Sequence, residues 1–274
     1  MTDVASLIAD LASTRHEPGR LHVLGLCGPQ GSGKSTAADA AAVLLAERGL
    51  RAAVLALDDL YLGRAERQAL AARIHPLLVT RGPPGTHDVT EGERLLAALN
   101  RGETERPPRF DKIADDRHAE PGPPIGPLDV LIFEGWCIGA RPQDDSALTA
   151  PINALEAERD PDGIWRRYVN DRLASDYQRL FAALGSLVLL QAPRFETIFE
   201  WRLQQEETNR QRYDAARSGH PMTADEVEAF VRHYERLTRH IAAEMPARAD
   251  VAIALDAERR VVDVRRPAGN QDGT

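Results

Sequence analysis

The run Gly28-Pro29-Gln30-Gly31-Ser32-Gly33-Lys34-Ser35-Thr36 fits the pattern G-x-x-x-x-G-K-[ST]. Such a loop turns its backbone amides onto phosphate oxygens, with a helix N-terminus behind them. Gly28, Gly31, Ser32, Gly33 and Thr36 then cradle a nucleotide's phosphates. Lys34 reaches the β- and γ-phosphates, and the Ser35 hydroxyl ligates Mg²⁺. Three carboxylates follow apolar runs in the same chain: Asp58 and Asp59 after residues 52–57, and Glu134 after residues 129–133. A carboxylate so placed can take the proton of a hydroxyl attacking the γ-phosphorus, or hold Mg²⁺ as a Walker B acid does. Arg81, His87, Asp88, Arg109, Lys112 and Arg117 fall in two loops rich in Gly and Pro. Cations there suit a substrate carboxylate, which Arg can bind with two parallel hydrogen bonds. Residues 200–212 form a highly charged helix, from which an arginine can close on transferring phosphate.

These groups need a scaffold that brings them to one edge. The apolar run Leu21-His22-Val23-Leu24-Gly25-Leu26-Cys27 reads as a buried strand before the glycine loop, and residues 36–48 as a helix stopped by Gly49. Further strands are predicted at 52–57, 129–133, 187–190, 251–255 and 261–264. Helices are predicted at 4–14, from Thr90 to Gly102 behind a Thr90-x-x-Glu93 capping box, at 162–184, at 193–217, and at 223–243 behind a Thr223-x-x-Glu226 box. Continuously apolar strands alternating with amphipathic helices give an α/β fold, a mostly parallel five-stranded sheet covered on both faces. Ligands then bind at the carboxyl ends of the strands, where Asp58, Asp59, Glu134 and the glycine loop all fall. Residues 105–127, polar and rich in Pro and Gly, read as a long loop, functional or disordered. The expected division is an N-terminal helix in 1–20, one domain over 21–265 and a disordered tail at 266–274.

The 274 residues carry 34 Lys and Arg against 42 Asp and Glu, a net charge of −8. That balance argues against nucleic acid or an anionic membrane as partner, since both select basic surfaces. No apolar run is long enough to span a bilayer, and the first 20 residues lack a signal-peptide core. With two cysteines, Cys27 and Cys137, read as reduced and structural, the expectation is a cytoplasmic monomer or homodimer acting on a small molecule.

Several segments taken together resemble the plant and fungal D-glycerate 3-kinase family and its bacterial relatives, within the wider group of uridine kinase, phosphoribulokinase and bacterial pantothenate kinase. They are the glycine loop, Asp58-Asp59-Leu60-Tyr61-Leu62, Arg81-Gly82-Pro83-Pro84-Gly85-Thr86-His87-Asp88, Phe110-Asp111-Lys112, Phe133-Glu134-Gly135-Trp136, Val169-Asn170, Leu190-Gln191-Ala192-Pro193 and Trp201-Arg202-Leu203-Gln204. The resemblance covers about residues 21–264. It implies a P-loop kinase fold and transfer of the ATP γ-phosphate, with Mg²⁺, to the 3-hydroxyl of D-glycerate. In it Asp58 is the base, Asp59 a less certain neighbour, Arg202 and then Arg210 the lid arginines, and Arg81, His87, Arg109 or Lys112 the carboxylate ligands. Phe110 stands where the family commonly has tyrosine, which bears on the acceptor and not on phosphoryl transfer.

Two other readings stay open at this level. One is a kinase of the same group for a nucleoside, pantothenate or a sugar phosphate. The other is a nucleotide-dependent switch. Against the switch, the chain has no N-K-x-D segment, and its strand-end acid lies in Phe133-Glu134-Gly135-Trp136 rather than D-x-x-G.

Overall fold

The computed structural model describes residues 3–212 and 222–267. Six strands form one sheet: β1 (His22–Cys27), β2 (Ala52–Ala56), β5 (Val130–Gly135), β6 (Ser186–Gln191), β7 (Val251–Leu255) and β8 (Val261–Arg265). The two-residue strands β3 (Phe110–Asp111) and β4 (Asp116–Arg117) pair as a separate hairpin. The order across the main sheet is β2-β5-β1-β6-β7-β8. The first five strands run parallel, as expected, and β8 adds a sixth, antiparallel strand at the edge.

Both faces of the parallel strands are buried, so successive side chains feed two separate cores. In β5, Leu131 and Phe133 enter one core with residues of α4 (Val89–Asn100) and α9 (Ala224–Glu244). Val130 and Ile132 enter the other, with α1 (Val4–Arg15) and α2 (Lys34–Glu47). Leu7, Ile8, Ala9 and Ala12 of α1 pack in that second core with Ala38, Ala41 and Leu45 of α2. The N-terminal helix is thus built into the domain rather than standing before it. Residues 268–274 of the expected tail lie outside the described residues.

Strand register sets the working edge. Glu134 of β5 is level with Leu26 of β1 on one side and Ala56 of β2 on the other. Gly28 and Asp58 therefore each start two residues beyond Glu134's level, at the carboxyl end of the sheet.

Two predicted elements differ. Helix α4 begins at Val89 with Asp88 as its cap, whose carboxylate accepts the Glu91 N–H at 3.0 Å, so the Thr90 capping box is not used. The predicted helix over 162–184 is α6 (Ile164–Arg172), a π-turn over Leu173–Tyr177 and α7 (Gln178–Phe181). The residues 61–76 hold α3 (Arg64–Arg73). The helix α8 (Phe195–Arg212) leads toward residues 213–221, outside the described range, and α9 starts at its predicted Thr223 box. A short α5 (Ala154–Arg159) completes the set. Both cysteines are free and buried, and burial pushes the Cys27 thiol up to about 12, away from redox chemistry. No described helix is long and apolar enough to cross a membrane.

Candidate active site

The phosphate loop links β1 to α2 with left-handed backbone at Gly31 (φ 73°) and Gly33 (φ 84°), a conformation that only glycine adopts without strain. A Cβ on Gly31 would lie 2.6 Å from the Trp201 Cβ, so the loop is also packed tightly against α8. Within it the Ser32 hydroxyl is buried with no hydrogen-bond partner among the described residues. A buried donor at the mouth of a helix fits a site that takes phosphate oxygens. Ser35 donates to Glu134 Oε1 at 2.7 Å, which joins the helix start to the end of β5. A hydroxyl and a carboxylate beside a phosphate site are the hard oxygen donors that Mg²⁺ takes when the phosphates supply the rest of its shell. The chain's own residues fit that ion. Burial raises the Glu134 carboxyl above its usual range, opposed by the nearby Lys34 charge.

Beyond β2 a 3₁₀ turn over Leu57–Leu60 carries Asp58, and the chain rises to Tyr61 one turn later. The Tyr61 hydroxyl donates to Asp58 Oδ1 at 2.7 Å, and Lys112 Nζ sits 2.6 Å from Oδ2. Burial alone would raise the Asp58 carboxyl. The charges of Lys112 and Lys34 and the two hydrogen bonds overcome it and hold Asp58 well below the usual carboxylate range. Asp58 is therefore ionised at neutral pH, paired with Lys112 and acted on by the charge of the phosphate-loop lysine. In phosphoryl transfer the hydroxyl proton leaves late, so a weak base aimed at that hydroxyl suffices to orient it and then accept the proton.

Lys112 reaches Asp58 from the turn of the β3–β4 hairpin, and buried polar contacts fix that hairpin. Arg67, 1% exposed, donates to the carbonyls of Leu62, Val79 and Asp115 and pairs with the Asp115 carboxylate at 2.9 Å. Arg117 donates to the Tyr61 carbonyl at 2.8 Å. Arg81 pairs with Asp115, donates to the Lys112 carbonyl at 3.3 Å and lies 5.6 Å over the Phe110 ring. The Tyr234 hydroxyl of α9 donates to the Arg81 carbonyl at 2.7 Å.

The structure thus gathers Lys34, Ser35, Glu134, Asp58 and Lys112 tightly, with Arg81 behind Lys112. The other expected site residues make contacts with the protein itself. Asp59 accepts the Phe110 N–H at 3.1 Å, which anchors the hairpin. Asp88 caps α4 and pairs with Arg117 at 3.1 Å, so its charge is spent on structure. Arg109 is exposed, and its charge acts on Asp59. His87 is 5% exposed, and burial pushes it down to about 4 against the pull of Asp58. It is neutral at pH 7 and cannot serve as a cation for a carboxylate. Arg202 is buried, pairs with Glu206 and lies 5.6 Å over the Phe230 ring. The side chain of Arg210 lies outside the described ones.

Sequence reasoning assigned no role to Tyr61, Tyr177 or Tyr234. The i,i+3 spacing from Asp58 carried a signal for Tyr61, since a single helical turn brings such residues together. The other two arrive from α9 and the π-turn, and no local pattern ties them to Arg81 or His87.

The family model of the methylmalonyl Co-A mutase-associated GTPase MeaB matches residues 5–61, from α1 through the phosphate loop to Tyr61. The chain is 36% identical over 227 residues to the uncharacterized kinase mug58 of Schizosaccharomyces pombe, covering 79% of both chains. It is 30% identical over 257 residues to the chloroplastic D-glycerate 3-kinase of Arabidopsis thaliana, covering 88% of this chain and 54% of the plant protein, about half its length. A solved D-glycerate 3-kinase from Cryptococcus neoformans var. grubii matches with a TM-score of 0.78 at 26% identity, covering 97% of this chain and all of that one. A possible uridine kinase from Bacillus stearothermophilus shares the fold, with a TM-score of 0.52 at 16% identity over 91% of this chain and 97% of that one. With the relatives and the phosphate-loop geometry in agreement, the chain belongs to the D-glycerate 3-kinase family of P-loop kinases and is a phosphotransferase.

Proposed function

We propose that this enzyme transfers the γ-phosphate of ATP, with Mg²⁺, to the 3-hydroxyl of D-glycerate, giving 3-phosphoglycerate. The observation that carries the reading is the ionised Asp58, paired with Lys112 and acted on by the charge of Lys34, on the same sheet edge as the phosphate loop. A nucleotide in the loop would place its γ-phosphate toward Lys34, and Ser35 and Glu134 would hold Mg²⁺ there. The ion supplies charge neutralisation on the phosphate oxygens. Asp58 orients the attacking hydroxyl and receives its proton. Tyr61 fixes the carboxylate's rotation by its hydrogen bond, so that one oxygen stays aimed.

Lys112 can exchange its contact with Asp58 for the acceptor's carboxylate, and Arg81 adds positive charge behind it. Anionic acceptors are thereby favoured over neutral ones. Arg202, once freed from Glu206, stabilises charge on the phosphoryl group in flight. Two free, buried thiols agree with a reducing compartment, and we place the enzyme in the cytoplasm as a monomer or homodimer acting on this small molecule.

The test is nucleoside diphosphate release, ADP from ATP or GDP from GTP, with a panel of D-glycerate, uridine, pantothenate and sugar phosphates. Turnover with ATP and D-glycerate is expected. Turnover of uridine or pantothenate without D-glycerate would overturn the acceptor assignment, and acceptor-independent hydrolysis of GTP would overturn the kinase mechanism.

A further inference from the structure

The neutral His87 leaves a hydrogen-bonding question that the geometry answers. Its Nδ1 lies 2.5 Å from the Tyr177 hydroxyl, which the π-turn carries into the core. That same oxygen accepts the Gly85 N–H at 3.0 Å. With an amide, which can only donate, already on that oxygen, the buried phenol's own proton needs an acceptor, and the Nδ1 at 2.5 Å is the one at hand. The proton goes to Nδ1. A neutral imidazole that accepts at Nδ1 carries its hydrogen on Nε2.

That Nε2–H is buried and has no partner among the described residues. Its ring packs 4.7 Å from the ring of Tyr61, whose hydroxyl holds Asp58. Burial, which pushes His87 down to about 4, keeps the ring from gaining a second proton at neutral pH. The structure therefore keeps a neutral, unused donor packed against the tyrosine that holds the base. An unpaired buried donor is uncommon, and a ligand that completes it is one physical reason for it.

We infer that His87, as the Nε2–H tautomer, is a specificity-determining residue that donates a hydrogen bond to the acceptor's non-reacting hydroxyl. In a 2,3-dihydroxy acid that is the hydroxyl on the carbon next to the reacting one. A neutral donor next to the base suits a neutral oxygen adjacent to the attacking one. The cations Lys112 and Arg81 suit the carboxylate at the other end. The inference rests on the D-glycerate reading above.

The experiment compares kcat/KM for D-glycerate, for 3-hydroxypropanoate, which lacks the second hydroxyl, and for glycerol, which lacks the carboxylate. It uses the full chain and its His87→Phe and His87→Gln variants. His87→Phe should cost D-glycerate about ten- to a hundredfold. It should leave 3-hydroxypropanoate nearly unchanged, and His87→Gln, which keeps an N–H donor, should restore part of the loss. Equal losses on all three acceptors would make His87 merely structural and overturn the inference. A loss that persists on 3-hydroxypropanoate and vanishes on glycerol would assign it to the carboxylate instead. Nitrogen-15 NMR of the wild-type histidine rings decides the tautomer independently of any variant's folding, and a proton found on Nδ1 overturns the inference. If wild-type protein leaves D-glycerate untouched, the acceptor reading itself fails, whereas turnover with an unchanged substrate ratio defeats the His87 inference alone.

Discussion

His87 also makes the stability of the protein depend on pH with a sign and size that follow from its burial. Its folded pKa is about 4, against an ordinary value of 6.5, because burial disfavours the charged ring more than Asp58 favours it. Above pH 6.5 neither state binds the proton, and the native fold keeps its full stability. Between pH 6.5 and 4 the unfolded chain takes up a proton that the native chain refuses, so stability falls as the pH falls. Below pH 4 both states are protonated and this loss levels off. Each unit is worth about 1.4 kcal/mol, which gives about 2 kcal/mol lost by pH 5 and about 3 kcal/mol in all. Carboxylates also titrate in this window, so the assay is a difference. Urea unfolding is measured from pH 7.5 to 4.5 for wild type and His87→Gln, whose amide does not titrate. The wild-type curve should steepen below pH 6.5 and lose about 2 kcal/mol more than the variant between pH 7.5 and 5. Parallel curves would mean that the ring is hydrated or already charged in the native state, and the neutral donor would go with it.

Three further outcomes are expected. Asp58→Asn should lower kcat by about 10²- to 10⁴-fold while leaving nucleotide affinity nearly intact, as read by ADP release and by nucleotide titration; near-normal turnover would remove Asp58 as the base. Lys112→Met should raise the KM for an anionic acceptor by about ten- to a hundredfold and leave the KM for ATP unchanged, since the lysine's charged contacts lie on the acceptor side. Arg236→Met should cost about 3–5 kcal/mol in urea unfolding, because it strands Glu156, 1% exposed and bonded to Arg236 at 2.6 and 2.8 Å, without its partner.

The parts of this site that were legible in the sequence are those whose position is fixed by strand ends. Gly28, Asp58 and Glu134 each follow an apolar strand, and parallel register does the rest. Glycine in the phosphate loop was equally plain, because left-handed backbone restricts what can stand there. The roles of the loop residues were not legible, because a charge in a Gly/Pro loop looks the same whether it meets substrate or its own protein. Asp59 and Asp88 went to Phe110 and to the α4 cap, and Arg81 to Asp115, through contacts between segments up to 51 residues apart. The sixth strand pairs in the opposite sense because β7 and β8 are joined by a short turn, which only an antiparallel pair permits. The π-turn at Leu173–Tyr177 has no signature in the apolar spacing of its helix, yet it delivers the hydroxyl that sets the state of His87.

The central claim is that the edge formed by Lys34, Asp58, Lys112 and Glu134 phosphorylates the 3-hydroxyl of D-glycerate. Phosphorus-31 NMR of a reaction containing the protein, ATP, Mg²⁺ and D-glycerate tests it most directly. The account predicts stoichiometric ADP and a phosphomonoester coupled to the two protons of C3. A phosphate coupled to the single proton of C2, or ADP with free phosphate and no ester, would contradict it.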